Sequence, residues 1–180
     1  WQLPIMKLMA RQLNSGDVLE IGFGRGIASD FLQEQSIRSH TIIEVNESVI
    51  ARCNDWKKNY PGRDIRVISG RWQGVLNQLE TYDGIFFHTY PLNQEEFVEQ
   101  IARSVTFGEH FFPTAQALLR PGGTFTYLSN EIDSLSRDHQ RLLLQYFSSF
   151  SVSRVEGLKL PKDVRDAWWA DSMILIKAIR

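Results

Sequence analysis

Short apolar runs alternate along the chain with longer segments in which apolar residues recur every three or four positions. A short run bounded by turn residues is typical of a buried strand, and the three-to-four spacing is typical of an amphipathic helix. We therefore predict strands at 18–21, 41–45, 65–68, 85–87, 125–128, 152–158 and 173–179. Helices are predicted at 4–13, 27–35, 49–56, 137–147 and, with interruptions near Gly108 and Pro113, over most of 95–120.

The order of these elements predicts an α/β fold. Strands that are separated by helices indicate a parallel sheet that is covered on both faces. The last two strands have no helix between them, so we expect an antiparallel edge there. Pro121, Gly122 and Gly123 are expected to end the long helical segment. The 180 residues suit one domain, which we predict over 1–180.

Composition and charge exclude several classes of function. The formal net charge is −1, without the basic runs that nucleic-acid binding normally needs. No apolar stretch approaches the roughly 20 residues that span a bilayer. Cys53 has no second cysteine to pair with and is interpreted as a packing residue, which fits a cytoplasmic protein. His40, His110 and His139 lack metal-ligand spacing, so no metal is expected.

The most informative motif is Glu-Ile-Gly-Phe-Gly-Arg-Gly at 20–26, which follows a predicted strand and precedes a predicted helix. Glycines let the backbone turn sharply and approach a ligand closely. Glu44 ends the next predicted strand, where an acid accepts hydrogen bonds from ribose hydroxyls, or is alternatively a solvated strand-end acid. A nicotinamide-binding loop has its third glycine at the position of Ile27, so the G-x-G-x-G spacing favours S-adenosylmethionine.

Five segments give the chain a resemblance to a known family. They are residues 1–6, 18–24, 70–73, 82–92 and 118–123. On these segments the chain resembles the class I methyltransferases, in particular guanidinoacetate N-methyltransferase and the fungal arginine δ-N-methyltransferases. The opening Trp-x-x-Pro and the Phe-His-Thr-Tyr-Pro-Leu run are specific to that branch, whereas the glycine loop is common to many methyltransferases.

The resemblance implies a fold, a cofactor and a set of contacts. The fold is a Rossmann-like, doubly wound sheet of seven strands in the order 3-2-1-4-5-7-6, with the seventh strand antiparallel. The cofactor is S-adenosylmethionine, and its implied contacts are Met6, Glu20, Gly22, Gly24, Glu44, Gly70, Arg71, Trp72, His88 and Thr89. Glu20 would help to place the methionine portion. Trp72 would lie near the adenine and Met6 near the sulfonium, although both also suit core positions. A further N-terminal segment that closes over the site is expected upstream of Trp1.

The chain departs from that family at two positions that matter for the acceptor. The guanidino-specific members hold carboxylates at the positions matched here by Gln2 and His88. A guanidinium is a planar cation that is best paired with carboxylates, whereas His88 is neutral or positive near neutral pH. The acceptor is therefore expected to differ. Glu131 is either a relocated acid or a solvated loop residue.

The catalytic candidates are His88, as a base or an orienting residue, with Gln2, Tyr90 and Glu131. Thr89 and Tyr90 would line the junction between cofactor and acceptor. Trp168 and Trp169 would flank the acceptor together with Tyr90, or else close the edge of the sheet.

Four hypotheses follow for the function. The first is an N-methyltransferase for a small-molecule amine or guanidine-like metabolite, acting as a monomer or homodimer without a nucleic-acid or membrane partner. The second is an O-methyltransferase that uses His88 as its base. The third is a non-catalytic protein that kept the cofactor fold. The fourth, a nicotinamide oxidoreductase, is disfavoured by the glycine spacing.

Overall fold

The computed structural model describes residues 2–162 and 170–180. Within these residues, seven strands form one sheet in the order β3-β2-β1-β4-β5-β7-β6. The strands are β1 (Ser15–Ile21), β2 (Ser36–Glu44), β3 (Asp64–Ser69), β4 (Tyr82–Phe87), β5 (Leu119–Leu128), β6 (Ser149–Val155) and β7 (Met173–Ile179). Strands β1 to β5 pair in parallel, and β7 lies antiparallel between β5 and β6. The predicted class I order is confirmed.

Helices cover both faces of this sheet. They are α1 (Leu3–Arg11), α2 (Ile27–Gln33), α3 (Glu47–Lys57), α4 (Gln94–Phe97), α5 (Phe112–Leu118) and α6 (Arg137–Tyr146). Successive side chains of a strand point to opposite faces. In β1, Val18 therefore packs in the apolar cluster that contains α1 and α2, and Leu19 packs in the cluster that contains α5 and α6.

The long helical segment predicted at 95–120 is shorter and more broken than expected. Helix α4 continues only into a π turn at Val98–Ala102, and a 3₁₀ turn at Glu109–Phe111 precedes α5. Pro113 does not interrupt a helix, because it lies in the first turn of α5, where its missing N–H leaves no helical bond unmade.

The prediction that Pro121, Gly122 and Gly123 end a helix is wrong. Helix α5 already ends at Leu118, and the three residues lie inside β5. The chain bulges there, and the N–H of Gly122 donates to the carbonyl of Arg180 at 3.0 Å. Residues 121–123, which resemble a helix end in the sequence, are therefore held in the strand by backbone pairing with Arg180.

The other boundary differences are small. Strand β6 covers Ser149–Val155 rather than 152–158, and β2 begins at Ser36 rather than at 41. No helix in the described ranges is both long enough and apolar enough to cross a bilayer.

Candidate cofactor and acceptor site

The glycine loop after β1 packs closely against the end of β4. Gly22 has φ +89°, and a Cβ there would lie 2.8 Å from the carbonyl oxygen of His88. Gly26 has φ +79° directly before α2, and a Cβ there would lie 2.8 Å from the Phe23 ring. Both positions need glycine, because other L-residues rarely adopt this backbone region and a side chain would collide.

Glu44, at the end of β2, holds this loop in place. Its Oε2 accepts hydrogen bonds from the N–H groups of Phe23 and Gly24 at 3.0 and 3.3 Å. Its Oε1 accepts from Val45 and Asn46 at 2.8 and 2.9 Å. The side chain is buried, so the interpretation as a solvated acid is wrong. The contact of Glu44 with ribose stays a prediction.

Two cavities meet over the carboxyl ends of β1, β2 and β4. One has a volume of about 360 Å³, and its walls include Gln2, Met6, Gly22, Gly24, Glu44 and His88. The other is lined by Gly22 and Glu44 together with Gly70, Arg71, Trp72, Glu96 and His110. Because they share Gly22, Glu44 and Thr89, the two cavities form one extended groove, where sheets of this type bind ligands.

Trp72 lies at the far end of the groove from Met6. Its ring packs edge-on against Phe111, with centroids 4.9 Å apart, and also lines the cavity. The predicted adenine position and the core position are therefore compatible. Met6 likewise is buried and lines the groove.

Arg71 and Glu96 form an ion pair across the same end of the groove. The hydrogen bond from the N–H of Leu92, and after it the Arg71 guanidinium, holds the pKa of Glu96 below its usual value. The sequence analysis missed Glu96. The Asn93-x-x-Glu96 pattern marks a helix start, since Asn93 accepts from the Glu96 N–H at 2.9 Å. The ion pair of Glu96 with Arg71 forms only in the tertiary structure, so the sequence pattern does not predict it.

Glu20 does not line the groove, and its contact with the methionine portion stays a prediction. It is completely buried on the face that α2 covers, the face to which Val18 also points. Its Oε2 accepts from the hydroxyl of Ser29 at 2.6 Å and lies 2.9 Å from Nε2 of His40. Glu20 therefore ties α2 to β1 beneath the loop, while its Oε1 has no hydrogen-bond partner among the described residues.

A smaller pocket adjoins the groove on the side of β5 and β7. Its volume is about 30 Å³, and it is lined by Phe87, His88, Thr89, Tyr90, Phe107, Leu128, Ser129, Asn130 and Met173. His88, Thr89 and Tyr90 also line the groove, so they form the wall between the two spaces. Nε2 of His88 lies 3.2 Å from the hydroxyl of Tyr90. We call the smaller space the acceptor pocket, after the junction between cofactor and acceptor predicted here, and that role stays a prediction.

Comparison with known proteins agrees with this arrangement. The family model described as guanidinoacetate N-methyltransferase matches residues 1–152. The chain belongs to the guanidinoacetate N-methyltransferase family. It is accordingly a class I, S-adenosylmethionine-dependent methyltransferase domain, as the glycine loop and the resemblance predict.

Relatives and solved structures place the chain within this group. Protein arginine N-methyltransferase 2 of Kluyveromyces lactis is 28% identical over 142 residues, which are 72% of this chain and 31% of that protein. The chain thus spans less than a third of the length of this curated relative. The N-methyltransferase NodS of Bradyrhizobium japonicum superposes with a TM-score of 0.65 at 16% identity, covering 99% of this chain and 94% of that one. An O-methyltransferase of Bacillus cereus in complex with SAH gives 0.62 at 19%, covering 99% and 80%. These two similarities show the fold alone.

His88 is half-buried, at the position where the resemblance places a carboxylate in the guanidino-specific members of the family. Burial lowers the pKa of His88 from 6.5 to about 4. Charge on an imidazole is disfavoured where water is excluded. The methyltransferase domain therefore presents a neutral nitrogen base, not an anion, at the wall of its acceptor pocket.

The first prediction concerns the titration of this residue. We expect the ring resonances of His88 in an NMR pH titration to have a midpoint near 4, and the imidazole to stay neutral between pH 5 and 8. The unfolded chain takes up its proton near pH 6.5. Because the unfolded chain binds this proton and the folded protein does not, His88 lowers the free energy of unfolding as the pH falls from about 6.5 towards 4. A midpoint close to 6.5 in the folded protein would contradict the buried, neutral state.

Glu131 is not the relocated acid that replaces the family carboxylates. Its Oε2 lies 2.5 Å from Nδ1 of His139, whose Nε2 lies 2.5 Å from the hydroxyl of Tyr127. The carboxylate also accepts from the N–H of Ser136 at 3.2 Å. Glu131 thus points towards α6 and does not line the acceptor pocket. No carboxylate in the described part of the chain lines that pocket.

The sequence analysis also considered Trp168 and Trp169 as residues that flank the acceptor, and it expected no metal. Trp168 and Trp169 lie outside the described residues. Within 2–162 and 170–180, no three His, Cys, Asp or Glu side chains come together as a metal site would require.

Proposed function

We propose that the protein transfers a methyl group from S-adenosylmethionine to an uncharged nitrogen of a small-molecule acceptor. The observation that carries the proposal is the position of His88 in the wall between the groove and the acceptor pocket, where an imidazole nitrogen and no carboxylate faces the pocket. In the same proposal the protein acts in the cytoplasm, as a monomer or homodimer, without a nucleic-acid or membrane partner.

In the proposed chemistry, the protein aligns the acceptor nitrogen with the methyl group and helps to remove a proton from that nitrogen. When bound, S-adenosylmethionine supplies a methyl group on a sulfonium centre that is already electrophilic. Glu44 and the glycine loop hold the ligand, and Thr89 and Tyr90 orient the acceptor at the junction. Alignment of this kind contributes up to several kcal/mol. The neutral imidazole of His88 accepts a hydrogen bond from the attacking nitrogen and takes its proton as methylation makes that nitrogen acidic. Because a lowered pKa makes it a weak base, we expect the lower end of the range of about 10²–10⁴-fold in rate.

The charge of the pocket argues against a guanidinium acceptor. The relatives named protein arginine N-methyltransferase 2 raise the alternative of a protein arginine. The described lining of the acceptor pocket is largely apolar and holds no carboxylate. A buried cation without an anionic partner is strongly disfavoured, so we favour an uncharged acceptor over an arginine side chain.

O-methylation is the second candidate. The hydroxyl of Tyr90 lies 3.2 Å from Nε2 of His88, within hydrogen-bond distance. The same nitrogen is therefore placed where it can pair with a hydroxyl group and act as its base.

The test is a methylation assay with three classes of acceptor. The protein is incubated with S-adenosylmethionine and with neutral amines, phenols, or guanidines including an arginine peptide, and S-adenosylhomocysteine is measured. We expect turnover with neutral amines. His88→Ala is expected to lower the rate about 10²–10⁴-fold while cofactor affinity stays near that of the wild type.

A second variant separates the two roles of His88. His88→Gln can still orient the acceptor but is not a base, so full activity in this variant assigns an orienting role only. Turnover restricted to arginine peptides would refute the proposal, and turnover restricted to phenols would favour O-methylation. No turnover in any class, together with tight cofactor binding, would support the non-catalytic hypothesis.

A further inference from the structure

Asn130 lies at the carboxyl end of β5, in the acceptor pocket, and the proposed chemistry does not use it. Its Oδ1 accepts hydrogen bonds from the hydroxyl of Thr106 at 3.1 Å and from the N–H of Phe107 at 3.2 Å. A backbone N–H can only donate, so this contact identifies the oxygen end of the amide. Nδ2, the donor end, makes no hydrogen bond to residues 2–162 or 170–180.

The surroundings make that free donor informative. The pocket wall beside Asn130 is mostly apolar, formed by Phe87, Phe107, Leu128 and Met173. Asn130 itself is half-buried. A donor that no described protein group pairs, beside a mostly apolar wall, favours a ligand that supplies a hydrogen-bond acceptor.

The backbone around Asn130 is held before any acceptor arrives. The hydroxyl of Ser129 accepts from the N–H of Glu131 at 3.0 Å. Glu131 is in turn bound to His139, which pairs with the buried Tyr127. A side chain whose support is fixed in this way can discriminate between ligands, because little ordering is required on binding.

We propose that Asn130 selects the acceptor through its Nδ2, which donates to an oxygen that the acceptor carries beside the methylated nitrogen. Carbonyl, amide and carboxylate oxygens all supply this chemistry. The inference rests on the proposed function and narrows it to acceptors of the amino-amide or amino-acid type, and it makes Asn130 a specificity-determining residue.

The experiment compares acceptors of matched shape that differ in this oxygen. Glycinamide is compared with isobutylamine, and 2-aminobenzamide with 2-isopropylaniline, with 2-aminobenzoate as the carboxylate arm. With concentrations expressed as the unprotonated amine, we expect the wild type to prefer the oxygen-bearing member of each pair by about tenfold in kcat/KM, the value of one hydrogen bond.

Asn130→Asp is the decisive variant. A carboxylate oxygen can keep both bonds from Thr106 and Phe107 while the second oxygen replaces the donor. The preference for 2-aminobenzamide over 2-isopropylaniline should therefore disappear. The kcat/KM for 2-aminobenzoate should fall most, because two carboxylates would face each other, while the affinity for the cofactor stays unchanged. Asn77→Asp, at an exposed position in the Leu76–Gln78 turn, is the matched control.

A binding measurement makes the outcome independent of turnover. The side-chain amide cross-peak of Asn130 is assigned in ¹⁵N-labelled protein by its loss in Asn130→Asp. We expect 2-aminobenzamide, and not 2-isopropylaniline, to shift it in the presence of S-adenosylhomocysteine. An unmoved cross-peak, or an unchanged acceptor preference in Asn130→Asp, overturns the inference. Failure of methyl transfer with a shifted cross-peak would instead count against the proposed function.

Discussion

Gly22→Ala is expected to destabilise the protein and to weaken cofactor binding by at least about tenfold. At φ +89° an L-residue other than glycine costs roughly 1–2 kcal/mol. The added Cβ would also lie 2.8 Å from the carbonyl oxygen of His88, a backbone atom that can move only if the end of β4 moves. Because His88 and Thr89 follow β4, the displacement reaches both the groove and the acceptor pocket.

Gly62→Ala is the matched control for this variant. Gly62 has φ +90°, almost the same as Gly22, but a Cβ there would have nothing within 4 Å. It should therefore show the backbone strain alone, with unchanged affinity for S-adenosylhomocysteine. Unfolding by denaturant and calorimetric titration measure the two effects. Equal stability losses in both variants, with wild-type binding in Gly22→Ala, would show that the close approach to His88 does not matter.

The double variant Gln2→Glu with His88→Asp is expected to change the class of acceptor. It places carboxylates at the two positions where guanidino-specific members of the family hold them, and both positions line the groove of about 360 Å³. Each charge-assisted hydrogen bond contributes about 1.5–3 kcal/mol. We therefore expect kcat/KM for guanidinoacetate to rise by roughly 100-fold or more, and that for neutral amines to fall.

The single variants separate the contributions of the two acids. His88→Asp alone buries one carboxylate whose pKa burial would raise, so part of it is protonated and the gain is smaller. Gln2→Glu alone leaves the neutral imidazole at the pocket wall. Activity is compared with guanidinoacetate and glycinamide in parallel. If the double variant folds and binds S-adenosylhomocysteine but gains nothing with guanidinoacetate, these two positions do not set the acceptor.

Sequence reasoning misplaced side chains whose partners lie on a different helix, strand or loop. Glu20 looks like a ligand contact next to the glycine loop, but it is buried beneath α2, where the hydroxyl of Ser29 donates to it. Glu131 looks like a free loop acid, but His139 binds it. Asn130 carries no motif, and its donor becomes visible only once Thr106 and Phe107 are seen to hold its oxygen.

The resemblance to the family implied that both guanidinium-binding acids are absent at Gln2 and His88. By itself, the sequence determined the order of strands and helices, and the glycine loop with an acid, Glu44, at the end of the next strand. These features are local, since periodicity, backbone freedom and residue type can be read within a few positions. Only the tertiary structure decided which polar groups face the groove and which face the core. That choice depends on which group on another strand, helix or loop satisfies each buried polar group, and the packing of the elements decides which group comes within reach.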